Sequence, residues 1–176
     1  MYISGEGLVP VIKEHGEDLK VVEIGVCRAE TSCYLMENCP NIKVLYGIDP
    51  WLPYQDKPTQ PITATMQDEF FKTAIKNIVE KGLRGKIRII KRRSDKIVTS
   101  FLDNSVDVLF VDGDHRFEAV LNDLEIWWPK LKKGGIMAGH DYGVSGVMQA
   151  LDRFKKYNNI ETVHRVKNAA WYFYKN

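Results

Sequence analysis

Two short stretches concentrate the side chains best able to do chemistry. One is Val111-Asp112-Gly113-Asp114-His115, at the end of the apolar run Val106-Asp107-Val108-Leu109-Phe110. The other is Gly139-His140-Asp141-Tyr142, which follows Lys133-Gly134-Gly135-Ile136-Met137-Ala138. Each pairs an apolar run with glycines, an acid and a histidine. If the two runs are neighbouring strands, Asp112, His115, His140 and Asp141 converge on one point. Carboxylates with imidazole suit a hard or borderline divalent ion, and Asp112, His140 and Asp141 are the expected ligands. A histidine titrating near neutrality also suits proton abstraction at pH 7, and His115 is the candidate base. A loop-capping role accounts for any one of these acids. It accounts less well for four such residues in two clusters.

A second constellation lies upstream. Val21-Val22-Glu23-Ile24-Gly25-Val26-Cys27-Arg28-Ala29-Glu30-Thr31 reads as a buried strand, a glycine turn and a helix start. Tyr46-Gly47-Ile48-Asp49 reads as another strand ending in an acid. Open α/β sheets bind nucleosides at such strand ends. Asp49 can accept both ribose hydroxyls, and Gly25 lets a ligand approach the backbone where a Cβ would intrude. The second and third glycines of G-x-G-x-x-G are absent, so a pyrophosphate lacks its close backbone approach. A nucleoside without a phosphate chain fits better, S-adenosylmethionine being the common one.

The elements that must position these residues follow from periodicity. Apolar runs at 21–26, 44–48, 87–90, 106–111 and 136–138 read as strands buried on both faces. Between them, 66–81, 117–131 and 146–157 carry apolar residues at three- and four-residue spacing and read as helices. Alternating strand and helix predicts a parallel sheet with right-handed crossovers. At the end, 162–166 and 170–174 are separated by three residues only, too few for a crossover, so they pair as an antiparallel hairpin. Residues 51–65 carry Pro53, Pro58 and Pro61, show no periodicity, and are read either as a lid over the site or as an irregular insertion.

Composition bounds the rest. The 176 residues form one expected domain, residues 1–176, with 44% hydrophobic and 27% charged residues. A net charge of +2 gives nucleic-acid binding no support. The basic run Lys91-Arg92-Arg93 reads as a solvated strand end or as a contact for an anionic substrate. No apolar run approaches the roughly 20 residues that span a bilayer. The acidic start, with Glu6, Glu14, Glu17 and Asp18, is unlike a signal peptide. Cys27, Cys33 and Cys39 are odd in number and lack zinc-ligand spacing, so free thiols in a cytoplasmic setting are expected.

Taken together, Glu23-Ile24-Gly25, Asp49, Asp112-Gly113-Asp114-His115 and Gly139-His140-Asp141-Tyr142 resemble the class I S-adenosylmethionine-dependent methyltransferases. The resemblance is to the methyltransferase-24 family, related to macrolide-sugar and catechol O-methyltransferases, and covers about residues 18–157. It implies a Rossmann-like, mostly parallel seven-stranded sheet with helices on both faces and a C-terminal antiparallel hairpin. It implies methyl transfer from S-adenosylmethionine, with O-methylation of a small-molecule or sugar hydroxyl expected. It further implies that Glu23, Gly25, Val26 and Thr31 lie at the methionine end of the cofactor and that Asp49 holds the ribose. Ser94 and Asp95 fall at the adenine edge. Asp112 falls at the cofactor, metal or substrate position, and His115 where catechol-type relatives carry a catalytic lysine. His140 and Asp141 fall where those relatives place Asp and Asn metal ligands.

Two departures qualify the resemblance. Ala29 stands where the first turn commonly has glycine. His140 stands in place of a carboxylate, which makes metal dependence open and favours a borderline ion over magnesium. The segment before the first strand is short, so the acceptor site is expected to be open or completed by a second subunit of a homo-oligomer. Two competing readings remain: a non-catalytic nucleoside-binding module of the same fold, and a nicotinamide oxidoreductase. The missing glycines and the closing hairpin weigh against the second.

Overall fold

A computed structural model of the chain describes residues 3–57 and 60–176. Its strands are β1 (Leu19–Ile24), β2 (Ile42–Ile48), β3 (Tyr54–Lys57), β4 (Gln60–Ile62), β5 (Ile87–Ile90), β6 (Val106–Val111), β7 (Leu131–Gly139), β8 (His164–Arg165) and β9 (Trp171–Tyr174). Its helices are α1 (Val9–Lys13), α2 (Glu30–Asn38), α3 (Ala64–Glu80), α4 (Ser94–Ile97), α5 (Phe117–Trp127) and α6 (Ser145–Asn158). Seven strands make one sheet in the order β5-β2-β1-β6-β7-β9-β8. The first five are parallel, and β9 runs antiparallel to both β7 and β8. This is the class I methyltransferase architecture with its antiparallel closing hairpin.

The apolar residues of each central strand divide between two cores. Val21, Leu45, Val108 and Phe110 face α1, α2 and α3, together with Ile12, Leu35 and Ile78. Val22, Ile48, Leu109 and Met137 face α5 and α6, together with Leu124, Trp127, Leu151 and Phe154. Helices therefore cover both faces, as buried parallel strands require. Each fully buried large apolar side chain contributes roughly 1.5–3 kcal/mol.

Boundaries depart from the sequence reading where pairing overrides composition. β1 stops at Ile24, and Val26 belongs to the turn. β7 begins at Leu131, five residues before the expected start at Ile136. Lys133-Gly134-Gly135 reads as a turn in sequence, yet the ladder with β6 runs past it by shifting register between Val106 and Val108. Gly134, at φ +76°, takes up the irregularity. α5 stops at Trp127 and a 3₁₀ turn over Trp128–Lys130 follows, because Pro129 has no amide to continue the ladder.

The stretch 51–65 is not a plain loop: β3 and β4 pair antiparallel there, with Tyr54 opposite Ile62. Residues 58 and 59 of that stretch lie outside the described residues, as do residues 1 and 2. Thr63 caps α3 by accepting from the Met66 amide at 3.3 Å.

Candidate functional site

β1 lies between β2 and β6, and the chain leaves it in opposite directions toward those neighbours. A crevice opens at the carboxyl ends of the strands at such a reversal. The turn leaving β1 is pinned from both sides. The Gly25 amide donates to the Ile48 carbonyl at 2.9 Å, and the Asp112 amide donates to the Ile24 carbonyl at 2.8 Å. Gly25 has φ +89°, and a Cβ there would lie 2.1 Å from the Asp112 carbonyl oxygen. The chain's own β6 end thus demands glycine here, independently of any ligand.

Cys27 and Ala29 are left-handed in the same turn, at φ +50° and +59°. For alanine this geometry costs roughly 1–2 kcal/mol, the physical reason for a glycine preference at that position. Asp49 holds the turn in place. Its Oδ2 accepts from the Val26 and Cys27 amides at 2.9 and 3.0 Å, and its Oδ1 from the Trp51 amide at 2.7 Å. Trp51 is buried beside the turn. Its indole donates to the Cys27 carbonyl at 2.9 Å, and its ring meets Phe71 edge-on.

A cavity of about 230 Å³ opens beside this turn. Glu23, Gly25, Val26 and Thr31 line it together with Asp112, His115 and Asp141. Glu23 is only 1% exposed, and the Ser32 hydroxyl donates to its Oε2. Burial pushes the Glu23 carboxyl up to about 8, against the opposing Ser32 hydrogen bond and with help from the Asp112 and Asp49 charges. It is neutral at pH 7.

In the same lining, the His115 Nε2 lies 2.8 Å from Asp141 Oδ2. His140 Nδ1 lies 3.0 Å from the same oxygen and 3.5 Å from Asp112 Oδ1. Burial alone would raise the Asp141 carboxyl, but the His115 and His140 hydrogen bonds outweigh it and hold it well below the usual carboxylate range. Asp141 itself is left-handed, at φ +57°, which turns its carboxylate toward both imidazoles. Trp171 of β9 fixes the preceding residue by donating its indole N–H to the His140 carbonyl at 2.9 Å.

Asp112, His115 and Asp141 each offer a ligand atom within 4.8 Å of the others. His140, expected as a ligand, is the buried member and sits between the two carboxylates, while His115 joins Asp112 and Asp141 at the cavity. Two carboxylates with imidazole nitrogen are a donor set that fits a borderline divalent ion.

Three expected cofactor residues lie outside the lining of this cavity. Asp49 is engaged with the turn as described. The Ser94 hydroxyl donates to Asp123 of α5, and Asp95 is held by Arg93 at 2.9 and 3.2 Å. Burial raises the Asp123 carboxyl to about 6, with the Ser94 hydrogen bond opposing. Sequence reasoning missed Ser4, Ser32 and Trp171. Ser4 and Tyr54 line the cavity. Ser4 reaches it because the N-terminal segment docks across the sheet edge. There the Asn168 amide donates to the Ile3 carbonyl at 3.1 Å and to Glu6 at 2.8 Å. The segment ahead of β1 thus contributes to the lining of the cavity. Only the i+9 spacing of Ser32 from Glu23, across a strand–turn–helix, was a readable signal.

A methyltransferase-domain family, methyltransferase-24, matches residues 22–142. An uncharacterized protein of Acanthamoeba polyphaga mimivirus is 34% identical over 131 residues, 72% of this chain and 52% of that protein. The chain thus spans about half the length of the curated relative it matches. Among solved structures, the O-methyltransferase NovP superposes with a TM-score of 0.73 at 17% identity, covering 96% of this chain and 79% of that one. The O-methyltransferase TomG from Streptomyces achromogenes, in complex with SAM, gives 0.66 at 12% identity over 96% and 78%. Spermidine synthase from Thermotoga maritima gives 0.64 at 15% identity over 94% and 55%. These structural likenesses concern the fold alone.

Proposed function

Because the chain belongs to this methyltransferase-domain family, we propose that it transfers a methyl group from S-adenosylmethionine to a hydroxyl of a small molecule or sugar. The observation that carries this reading is the cavity lined jointly by the glycine turn with Glu23 and by a histidine–aspartate pair. The donor set fits the cofactor's methionine end. Thr31 lies in the first turn of α2, whose first amides and positive end favour a carboxylate. Asp49 spends three acceptor sites on the turn, and a carboxylate has about four, so its capacity toward ribose is reduced but not exhausted.

When bound, the cofactor supplies an activated methyl, which leaves the chain to align an acceptor and remove its proton. Alignment is the larger contribution, roughly 7–11 kcal/mol where two reactants are held in place. His115 is the base in this reading. Asp141, kept ionised by its two histidines, stabilises the imidazolium that forms. Proton transfer contributes about 10²–10⁴-fold. A divalent ion held by Asp112 and Asp141 would lower the acceptor hydroxyl's pKa. If His115 also ligates that ion, it cannot act as the base, so metal dependence and base catalysis by His115 are separable.

The test is ligand-dependent stability. S-adenosylhomocysteine at about 100 times its Kd should stabilise the protein by about 2.7 kcal/mol, whereas NAD should not. Labelled S-adenosylmethionine incubated with hydroxyl acceptors then identifies the substrate. A protein that ignores both nucleosides is not a methyltransferase.

A further inference from the structure

Positive charge is unevenly distributed along this chain. Residues 72–96 hold ten of its 25 lysines and arginines and only two of its 23 acids. That segment comprises most of α3, the edge strand β5 and the residues that follow it. Among the described residues, β5 is hydrogen-bonded on one side only, to β2. Its Lys86 and Ile90 carbonyls accept from the Leu45 and Asp49 amides at 2.9 and 3.2 Å. Alternate residues of a parallel strand face the same neighbour, so Ile89 turns its amide and carbonyl to the open edge.

Between α3 and this edge runs an apolar groove of about 240 Å³, floored by Ile75, Ile78, Val79, Ile87 and Ile89. Arg84 lines it, and Lys72, Lys76 and Lys86 are exposed around it. Lys72 and Lys76 lie three residues before Ile75 and Val79 respectively, on one helical stripe. Val79 is 40% exposed. The ion pair of Lys76 with Glu80, at 3.8 Å between exposed groups, neutralises little.

We propose that this groove and edge bind an acidic, extended segment of a partner protein, added as a strand beside β5. Main-chain hydrogen bonds to Ile89 supply affinity. Alternate apolar side chains fill the groove, while the acidic ones, on the other face of the added strand, meet Lys86 and Arg88, and Lys72, Lys76 and Arg84 add positive charge at the groove's rim. The aliphatic floor favours a peptide over a nucleic acid, whose bases stack on aromatic rings. The basic rim sets the sign of the partner.

The full chain should be titrated with a short fluorescent peptide of alternating Glu and Val, with its Lys–Val counterpart, and with an oligouridylate of equal length. The acidic peptide should bind at least about tenfold more tightly than either control, and more weakly as salt rises. Arg84→Glu combined with Lys86→Glu should weaken it by about tenfold or more, as should Val79→Asp, both at unchanged thermal stability. Amide exchange at Ile89 should slow on peptide addition. Equal binding of the two peptides, tighter binding of the oligouridylate, or no binding at all would overturn the proposal. The last result would leave the edge lysines as a guard against edge-to-edge aggregation.

Discussion

Replacing Glu23 by Gln tests whether the cavity wall holds a neutral acid. In the folded protein the Glu23 carboxyl keeps its proton up to about pH 8, against an ordinary value of 4.5. Between those limits the folded state binds one proton more than the unfolded state. Stability therefore falls as pH rises through this window, by 1.36 kcal/mol per unit. Asp123, raised to about 6, acts in the same sense but only below that value. From pH 6 to 8 Glu23 is the residue that distinguishes wild type from mutant, and the difference should grow by about 2 kcal/mol. For a chain of this size that is about 4–8 °C in Tm. Gln keeps the volume and can still accept from Ser32, so Glu23→Gln should flatten the profile across that window. The assay is urea or thermal unfolding of both proteins at several pH values, read as the difference between them. Parallel profiles from pH 6 to 8 would refute the reasoning and mean that Glu23 is already ionised in the fold.

Three further outcomes are expected. Asp49→Ala should release the Val26, Cys27 and Trp51 amides and weaken S-adenosylhomocysteine binding by about 1.5–3 kcal/mol, measured by calorimetry; unchanged affinity in a folded mutant removes Asp49 from the site. His115→Ala should lower turnover by roughly 10²-fold and flatten the rise of rate with pH, with cofactor affinity nearly intact; a mutant that keeps the wild-type pH–rate profile makes His115 structural. Exhaustive chelation should cut turnover while sparing cofactor affinity if Asp112 and Asp141 hold an ion; full activity afterwards leaves these residues to orient the acceptor by hydrogen bonds alone.

The sheet, its closing hairpin and the strand-end positions of Glu23, Asp49, Asp112, His115, His140 and Asp141 were legible from local pattern alone. Burial on both faces makes the strands continuously apolar, and a three-residue link between the last two strands admits only antiparallel pairing. What local pattern could not reveal depends on which groups meet across the fold. Gly25 is compulsory because the Asp112 carbonyl fills its Cβ position, a contact between strands far apart in sequence. Asp49 carries the right charge at the right strand end, yet its oxygens are drawn to the amides of the turn beside it. Ser94 faces a buried Asp123 that periodicity assigns only to a helix. Glu23 is neutral because Val21–Ile24 sink it below solvent, a matter of burial depth that residue type does not encode. Which of two histidines joins the carboxylates at the cavity was decided by the left-handed turn at Asp141 and the Trp171 bond to His140. Sequence spacing sets the order in which such groups reach the sheet edge. Tertiary packing sets their distances, and hydrogen bonding and desolvation depend on distance.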